Sequence, residues 1–207
     1  NLKKEGRLKH IAVCGCLPQL YKGKLLDRLP EVDAVFGTSD FVKLSSYLKK
    51  IERGARCEVV SKKVDYLYDE RSPRSLLTPK HYAYIKVSEG CDNFCSYCII
   101  SRLRGRLRSR TVESVLKEIK NVSRSGSVKE LEIVGQDTTL FGKDNYGRPM
   151  LAELLKRAAR LKNSVEWIRV LYTHPAHYTD ELIDTIAGEE KICRYLDIPI
   201  QHASDRM

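Results

Sequence analysis

Apolar residues along this chain alternate between two kinds of pattern. Residues 11–14 form a short apolar run closed by Gly15, and residues 33–36 a second closed by Gly37; both predict buried strands. Between them Leu20, Leu25, Leu26 and Leu29 fall at loosely helical spacing until Pro30 ends the segment. Phe41, Leu44, Leu48 and Ile51 then recur at helical spacing, an amphipathic helix expected to be capped by Ser39 or Asp40. Strand, helix, strand, helix predicts a small parallel α/β unit over residues 1–65. Beyond Ser61 the pattern fades, and Arg71-Ser72-Pro73-Arg74-Ser75 reads as a linker, placed at 66–80.

A more regular series begins at Tyr82. Residues 82–87 predict a strand, followed by a cysteine-rich loop and five arginines. Thr111 is expected to cap a helix carrying Val112, Val115, Leu116, Ile119 and Val122, ended by Gly126. Residues 131–134 predict the next strand, Leu151, Leu154, Leu155, Ala158 and Leu161 a helix, and 165–171 a strand with Trp167 in the core. Thr179 caps a helix through Leu182, Ile183 and Ile186, and 195–200 is the last expected strand. Strands alternating with helices of this length imply right-handed βαβ units and a parallel sheet. Chemistry should then gather on the loops after the strands' C-terminal ends. The expected class is α/β, a partial (β/α) barrel over 81–207 preceded by part of a small α/β domain.

Composition narrows this picture. Lys and Arg number 37 against 27 Asp and Glu, a formal charge of +10, which fits an anionic partner without requiring one. A balance of 42% hydrophobic and 31% charged residues excludes wholesale disorder. No apolar run approaches the roughly 18 residues of a membrane span, and Asn1-Leu2-Lys3-Lys4-Glu5 has no signal-peptide core, so a cytoplasmic location with no membrane partner is expected. Seven cysteines, an odd number without a secretion signal, favour thiol, metal or redox chemistry over a disulfide framework. Both ends read as cut from a longer protein, with the barrel truncated at its C-terminal end.

Cys91, Cys95 and Cys98 have the spacing C-x3-C-x2-C. Three thiolates on one tight loop can hold three corners of a cubane iron–sulfur cluster and leave one iron open to a substrate. The competing reading, structural zinc, wants four ligands, and no fourth Cys or His lies close in sequence. This spacing, with Tyr97 directly before the third cysteine, resembles the radical S-adenosylmethionine superfamily. Residues 88–110, Val134-Gly135-Gln136-Asp137-Thr138-Thr139, Trp167-Ile168-Arg169-Val170-Leu171-Tyr172 and Asp197-Ile198-Pro199-Ile200-Gln201-His202-Ala203-Ser204 together resemble the methylthiotransferases. Within them they resemble the RimO type, which modifies an aspartate of protein twelve of the small ribosomal subunit. The tRNA-modifying MiaB type usually carries Gln-Asn where this chain has Gln136-Asp137, and a different string at 199–204.

The resemblance implies that Cys91, Cys95 and Cys98 hold a [4Fe-4S] cluster with S-adenosylmethionine on its open iron. Tyr97, Gln136, Asp137, Gln201, His202 and Arg110 become cofactor-binding candidates. It also implies a second [4Fe-4S] cluster, for which Cys16 in Gly15-Cys16-Leu17-Pro18-Gln19 is the one matching ligand; two others would lie upstream of Asn1. Implied partners are a small-subunit ribosomal protein or assembling ribosome and an electron donor such as flavodoxin or ferredoxin. Relatives often have Pro where this chain has Ser101.

Other residues take blander readings. Cys14 alternates away from Cys16 on its strand and reads as a small buried apolar residue; Cys57 and Cys193 read as ordinary thiols. Arg102, Arg104, Arg106, Arg108 and Arg110 are either a solvated basic loop or an electropositive rim beside the cluster. His174 and His177, flanking Pro175 after a strand, read as loop residues with local hydrogen bonds, a site role being the alternative. Two rival functions stand beside the aspartate methylthiotransferase: a tRNA adenosine methylthiotransferase, and a non-catalytic, basic, metal-stabilised RNA-binding module.

Overall fold

Two separate parallel sheets organise the chain. The structure, a computed structural model, describes residues 2–206, which fall into two units. One comprises the residues up to Tyr66 together with Asn93–Gly105; the other comprises Leu67–Asp92 and the residues from Arg106 onward.

The first unit is built on β1 (Ala12–Cys14), β2 (Ala34–Phe36) and β3 (Cys57–Val59), all parallel in the order β1-β2-β3. All three residues of the central strand are fully buried, as a strand covered on both faces requires. The expected strand at 11–14 forms, but as a sheet edge, so Ala12 and Cys14 are exposed and the buried reading of Cys14 is corrected. β3 was invisible to patterning because it is three residues long and its middle residue is Glu58. The helices are α1 (Cys16–Tyr21), α2 (Lys24–Arg28), α3 (Leu44–Glu52) and α4 (Ile100–Arg104). Ile51, Leu44 and Tyr47 of α3 pack on Ala34, Phe36 and Cys57, with the Tyr47 ring edge-on to Phe36 at 5.7 Å.

Polar pins supplement this thin core. Asp40 does not cap the following helix. Its fully buried carboxylate instead accepts Ser61 N–H (2.7 Å), Ser61 Oγ (2.6 Å) and Lys43 Nζ (2.7 Å). Burial works to raise its pKa, but the bonds from Lys43 and Ser61 outweigh that and hold the carboxyl below its ordinary value. Gln19 of α1 donates to Ser61 O (3.0 Å) and accepts Thr38 N–H (3.1 Å). Gly37 permits this approach: a Cβ there would lie 2.4 Å from Gln19 Oε1.

The second unit carries β4 (Tyr82–Lys86), a ribbon of β5 (Ser88–Glu89) with β6 (Arg108–Ser109), then β7 (Glu130–Val134) and β8 (Trp167–Val170). β4, β7 and β8 are parallel in that order. Its helices are α5 (Val112–Ser123), α6 (Lys143–Tyr146), α7 (Leu151–Ala159) and α8 (Asp180–Gly188). Thr111 Oγ1 accepts Ser114 N–H and Thr179 Oγ1 accepts Leu182 N–H, the two expected caps. Ala83, Ile85, Leu131, Ile133 and Ile168 alternate onto one face, where Val115, Ile119, Leu154 and Leu155 cover them with no exposed surface. Each such Leu, Ile or Val contributes about 1.5–3 kcal/mol by burial.

The opposite face is polar. In one register row lie Tyr84, Glu132 and Arg169, and in the next Tyr82, Glu130 and Trp167. Arg169 Nε donates to Glu130 Oε1 at 2.6 Å. Trp167 therefore belongs to the face without helices and is 55% exposed, not in the core as expected. The expected strand at 195–200 does not form either. Ile192 makes a single bridge to Ile168, after which Leu196 and Ile200 are exposed, because no ladder partner receives them.

The expected linker is pinned rather than free. Glu118 of α5, 2% exposed, accepts hydrogen bonds from Arg74 and Arg110, while Ser114 Oγ donates to Glu70 at 2.5 Å. Arg110 also lies over the Tyr68 ring at 5.4 Å.

Candidate functional site

The segments after β4 and β7 hold Cys91, Gln136 and Asp137, three of the predicted site residues of the second unit. Cys91 follows the β5 strand, and both its neighbours are tied down. Gly90, at φ +82°, donates its N–H to Gln136 Oε1 at 2.7 Å. Asp92 Oδ1 accepts Leu107 N–H (3.0 Å) and Arg106 Nε (3.2 Å). Gln136, a cofactor-binding candidate, thus also ties down the backbone beside Cys91. Gly135 beside it has no room for a side chain: a Cβ would sit 2.7 Å from Ser88 Oγ. That hydroxyl is buried and has no partner among the described residues, an unspent donor at the base of the cysteine loop.

Cys95 and Cys98 fall in the first unit, on the turn that leads into α4. Cys98 N–H donates to Cys95 O (2.9 Å), and Cys98 Sγ accepts Ile100 N–H at 3.5 Å. Phe94 just before them sits at φ +47°, a left-handed conformation costly for an aromatic residue. Tyr97 is 74% exposed, and its hydrogen bond with Cys95 pushes the phenol pKa up. Cys16 opens α1 and is half-buried.

None of the seven cysteines is in a disulfide. Among the described residues no three His, Cys, Asp or Glu side chains form a ready-made single-ion site. In a cubane each cysteine binds its own iron, so its ligands need not converge on one point as zinc ligands must. The donor set, three thiols with a peptide N–H already on Cys98 Sγ, fits such a cluster.

Asp137 is placed differently from expectation. It is 2% exposed and accepts Thr139 N–H (3.0 Å), the Thr139 hydroxyl and His177 Nδ1 (2.9 Å). The His177 ring stacks on His174 at 4.8 Å, and His174 N–H donates to Thr139 Oγ1 at 3.3 Å. Asp137 is thus paired with His177, which the sequence offered as a loop residue with a site role as the alternative, on its position after a strand. Tyr172, at φ +58° and 56% exposed, lies two residues past β8, and its carbonyl accepts Thr138 N–H at 2.9 Å.

Three expectations fare differently. Arg110, a cofactor-binding candidate, is 2% exposed, and its guanidinium bonds to Ser114, Lys86 O and Glu118. Gln201 and His202 are both exposed, with Gln201 Nε2 on Pro199 O (3.0 Å) and His202 Nδ1 accepting Ser204 N–H (3.3 Å). Neither is brought to the ends of β4, β7 and β8 by a strand of its own. The helices offer no membrane span: among the described residues none is long and apolar enough.

The chain is 46% identical to the ribosomal protein uS12 methylthiotransferase RimO of Heliobacterium modesticaldum, over 99% of its own length and 44% of that protein's. It is 47% identical to the protein of that name from Syntrophus aciditrophicus, over 98% and 45%. The chain thus spans about half the length of the curated relatives it matches. Its fold resembles a solved structure of the radical S-adenosylmethionine methyltransferase TsrM from Kitasatospora setae, with cobalamin and [4Fe-4S] cluster bound. The TM-score is 0.59 over 88% of this chain and 41% of that one, at 13% identity, a likeness of fold alone. The family model of the Radical SAM superfamily matches residues 85–207, from within β4 through the cysteine loop and past the Asp137–His177 pair. By that match, over a parallel α/β unit with its cysteines after the first strand, the chain belongs to the Radical SAM superfamily.

Proposed function

We propose that the chain is the part of a methylthiotransferase that places a methylthio group on the β-carbon of an aspartate in a small-subunit ribosomal protein. The observation that carries this reading is the identity of 46–47% over 98–99% of the chain to proteins of that name. Cys91, Cys95 and Cys98 would hold a [4Fe-4S] cluster, and Cys16 would contribute to a second one. When bound, the cluster with S-adenosylmethionine supplies one-electron cleavage of the cofactor's sulfonium and hydrogen abstraction from an unactivated carbon.

The chain's own residues orient these groups. Gln136 and Asp92 fix the backbone on both sides of Cys91. Ile100 N–H bonds to Cys98 Sγ, and Tyr97 hydrogen-bonds with Cys95, contacts that stabilise thiolates and tune a cluster's potential. Gln201 and His202 would join the cofactor site only when the segment around them is drawn in. A ribosomal partner and an electron donor of the flavodoxin or ferredoxin kind complete the reading.

The test is anaerobic reconstitution with iron and sulfide, followed by electron paramagnetic resonance with and without S-adenosylmethionine. A cubane signal that shifts with the cofactor and vanishes in Cys95→Ala is the expected result. Retained zinc, or a cluster that ignores the cofactor, overturns the reading.

A further inference from the structure

We propose that Tyr84, Glu132 and Tyr172, on the helix-free face of the second unit's sheet, form a subsite for one cationic side chain, Lys or Arg, of the substrate polypeptide. The same face already holds one cation in this way. Arg169 donates to Glu130 at 2.6 Å and lies over the Tyr195 ring at 5.0 Å, so an acid and a tyrosine together hold a guanidinium. Glu132 stands one register row further along β7, opposite Tyr84 on β4 and Arg169 on β8. It has an acid's charge and tyrosines around it, but no ion pair among the described residues.

The charges leave room for one cation. Glu130 claims Arg169, whose pKa is raised first by that bond and only in last place by Glu132. Lys86, further along β4, is paired with Glu89. With Arg169 set against Glu130 and Lys86 against Glu89, Glu132 is left as one negative charge, in a chain whose formal charge is +10. That charge repels a phosphate backbone and attracts a basic side chain, so a polypeptide fits this face and RNA does not. The Tyr84 hydroxyl donates to Glu132; this bond pushes the phenol's pKa up, with smaller contributions from the phenols of Tyr82 and Tyr172 close by.

Tyr172 is turned outward by its backbone. Ile168 and Val170 are buried, and continued alternation would send residue 172 to the helix-covered side as well. Its φ of +58° breaks the alternation, and the ring is exposed instead. Asp197 Oδ2 accepts Tyr172 N–H at 2.7 Å, and the Tyr172 carbonyl accepts Thr138 N–H at 2.9 Å. The strained conformation is thus fixed on both sides, and it keeps an aromatic ring available near Tyr84 for a cation.

The subsite needs no cluster; only the statement that its cation belongs to the substrate rests on the methylthiotransferase reading. The probe is Nα-acetyl-lysine amide, with the norleucine analogue as its neutral counterpart, added to the intact chain without cluster while the ring resonances of Tyr84 and Tyr172 are followed. A saturable shift with the lysine compound alone is expected. It should weaken about tenfold in Glu132→Gln and severalfold in Tyr172→Leu, but persist in Tyr172→Phe, whose ring face is intact. Equal response to the norleucine analogue, or no loss in Glu132→Gln or in Tyr172→Leu, would each overturn the cation subsite. S-Adenosylmethionine, itself a cation, displacing the lysine compound would move the source from substrate to cofactor and overturn the substrate assignment. Loss of the response in a polypeptide of the relatives' full length would show the protein's own residues filling the subsite, and would overturn it too. A failed cluster experiment leaves these outcomes readable, and failure here leaves the cluster reading standing.

Discussion

The two units solve the same problem with different means. Both are parallel strands alternating with helices, yet the first has strands of three residues and the second has two of five. The first gathers two small apolar clusters around β2 and relies on Gln19, Asp33 and Asp40 to tie loops to strand ends. The second buries one continuous apolar cluster between β4, β7, β8 and their helices. A short strand has too little side-chain area to offset chain entropy, so directional bonds must locate its loops. The second unit can instead place its polar groups where chemistry needs them.

That contrast breaks most sharply where a buried charge ties the 67–80 segment to the second unit's core. Glu118→Ala strands two guanidiniums, Arg74 and Arg110, beside a 2%-exposed position and should cost about 3–5 kcal/mol, read from urea unfolding. Near-native stability would mean the 67–80 segment is not held by this contact. Leu154→Ala should cost about 2–5 kcal/mol in the same assay. A much smaller effect would show that the core can collapse around the gap.

The first unit should respond to acid through Asp40, whose carboxylate is fully buried, whereas the second unit's lowered carboxylates, Asp69, Glu70, Glu113 and Glu181, are more exposed. Asp40 and Asp33 both titrate below their ordinary values: burial opposes this, and hydrogen bonds from Lys43 and Ser61, and from Lys3 and Ile11, prevail. A lowered carboxylate contributes stability that is present above the unfolded pKa and is lost as pH falls through the folded one. Amide exchange around β2 should therefore accelerate selectively once pH drops below the usual carboxylate range, and Asp40→Asn should blunt that response. Uniform acceleration in both units would remove the distinction.

The smallest expected effect is local to the cysteine loop. Gln136→Ala removes the acceptor of Gly90 N–H and should speed exchange of that amide about tenfold, a loss on the order of 1 kcal/mol, while Gln136→Glu keeps it protected. Unchanged exchange in Gln136→Ala would show that the Gly90 amide is not protected by this bond.

Much of this was legible in the chain. Alternation of Ala83, Ile85, Leu131 and Ile133 located β4 and β7, and Thr111 and Thr179 announced two helix starts. The cysteine spacing could propose a cluster site because ligand spacing on a loop is a local property. Where expectation failed, the deciding contact came from far along the chain. Arg110 looked like part of a basic rim, but Glu118 and Lys86 O claim it. Cys14 looked buried until β2, rather than β1, took the centre of the sheet. His177 looked like a loop residue until Asp137, 40 positions earlier, faced it.

Local physics is therefore what the sequence by itself determined: periodicity, caps, turns, the thiol spacing and the family string, each set by residues within a few positions of one another. Tertiary structure alone decided which strand lies at an edge, which face of the sheet is polar, and which side chains are spent on one another. A buried charge or hydroxyl must be satisfied by whatever the fold brings within about 3 Å, and that neighbour is chosen by topology rather than by sequence distance.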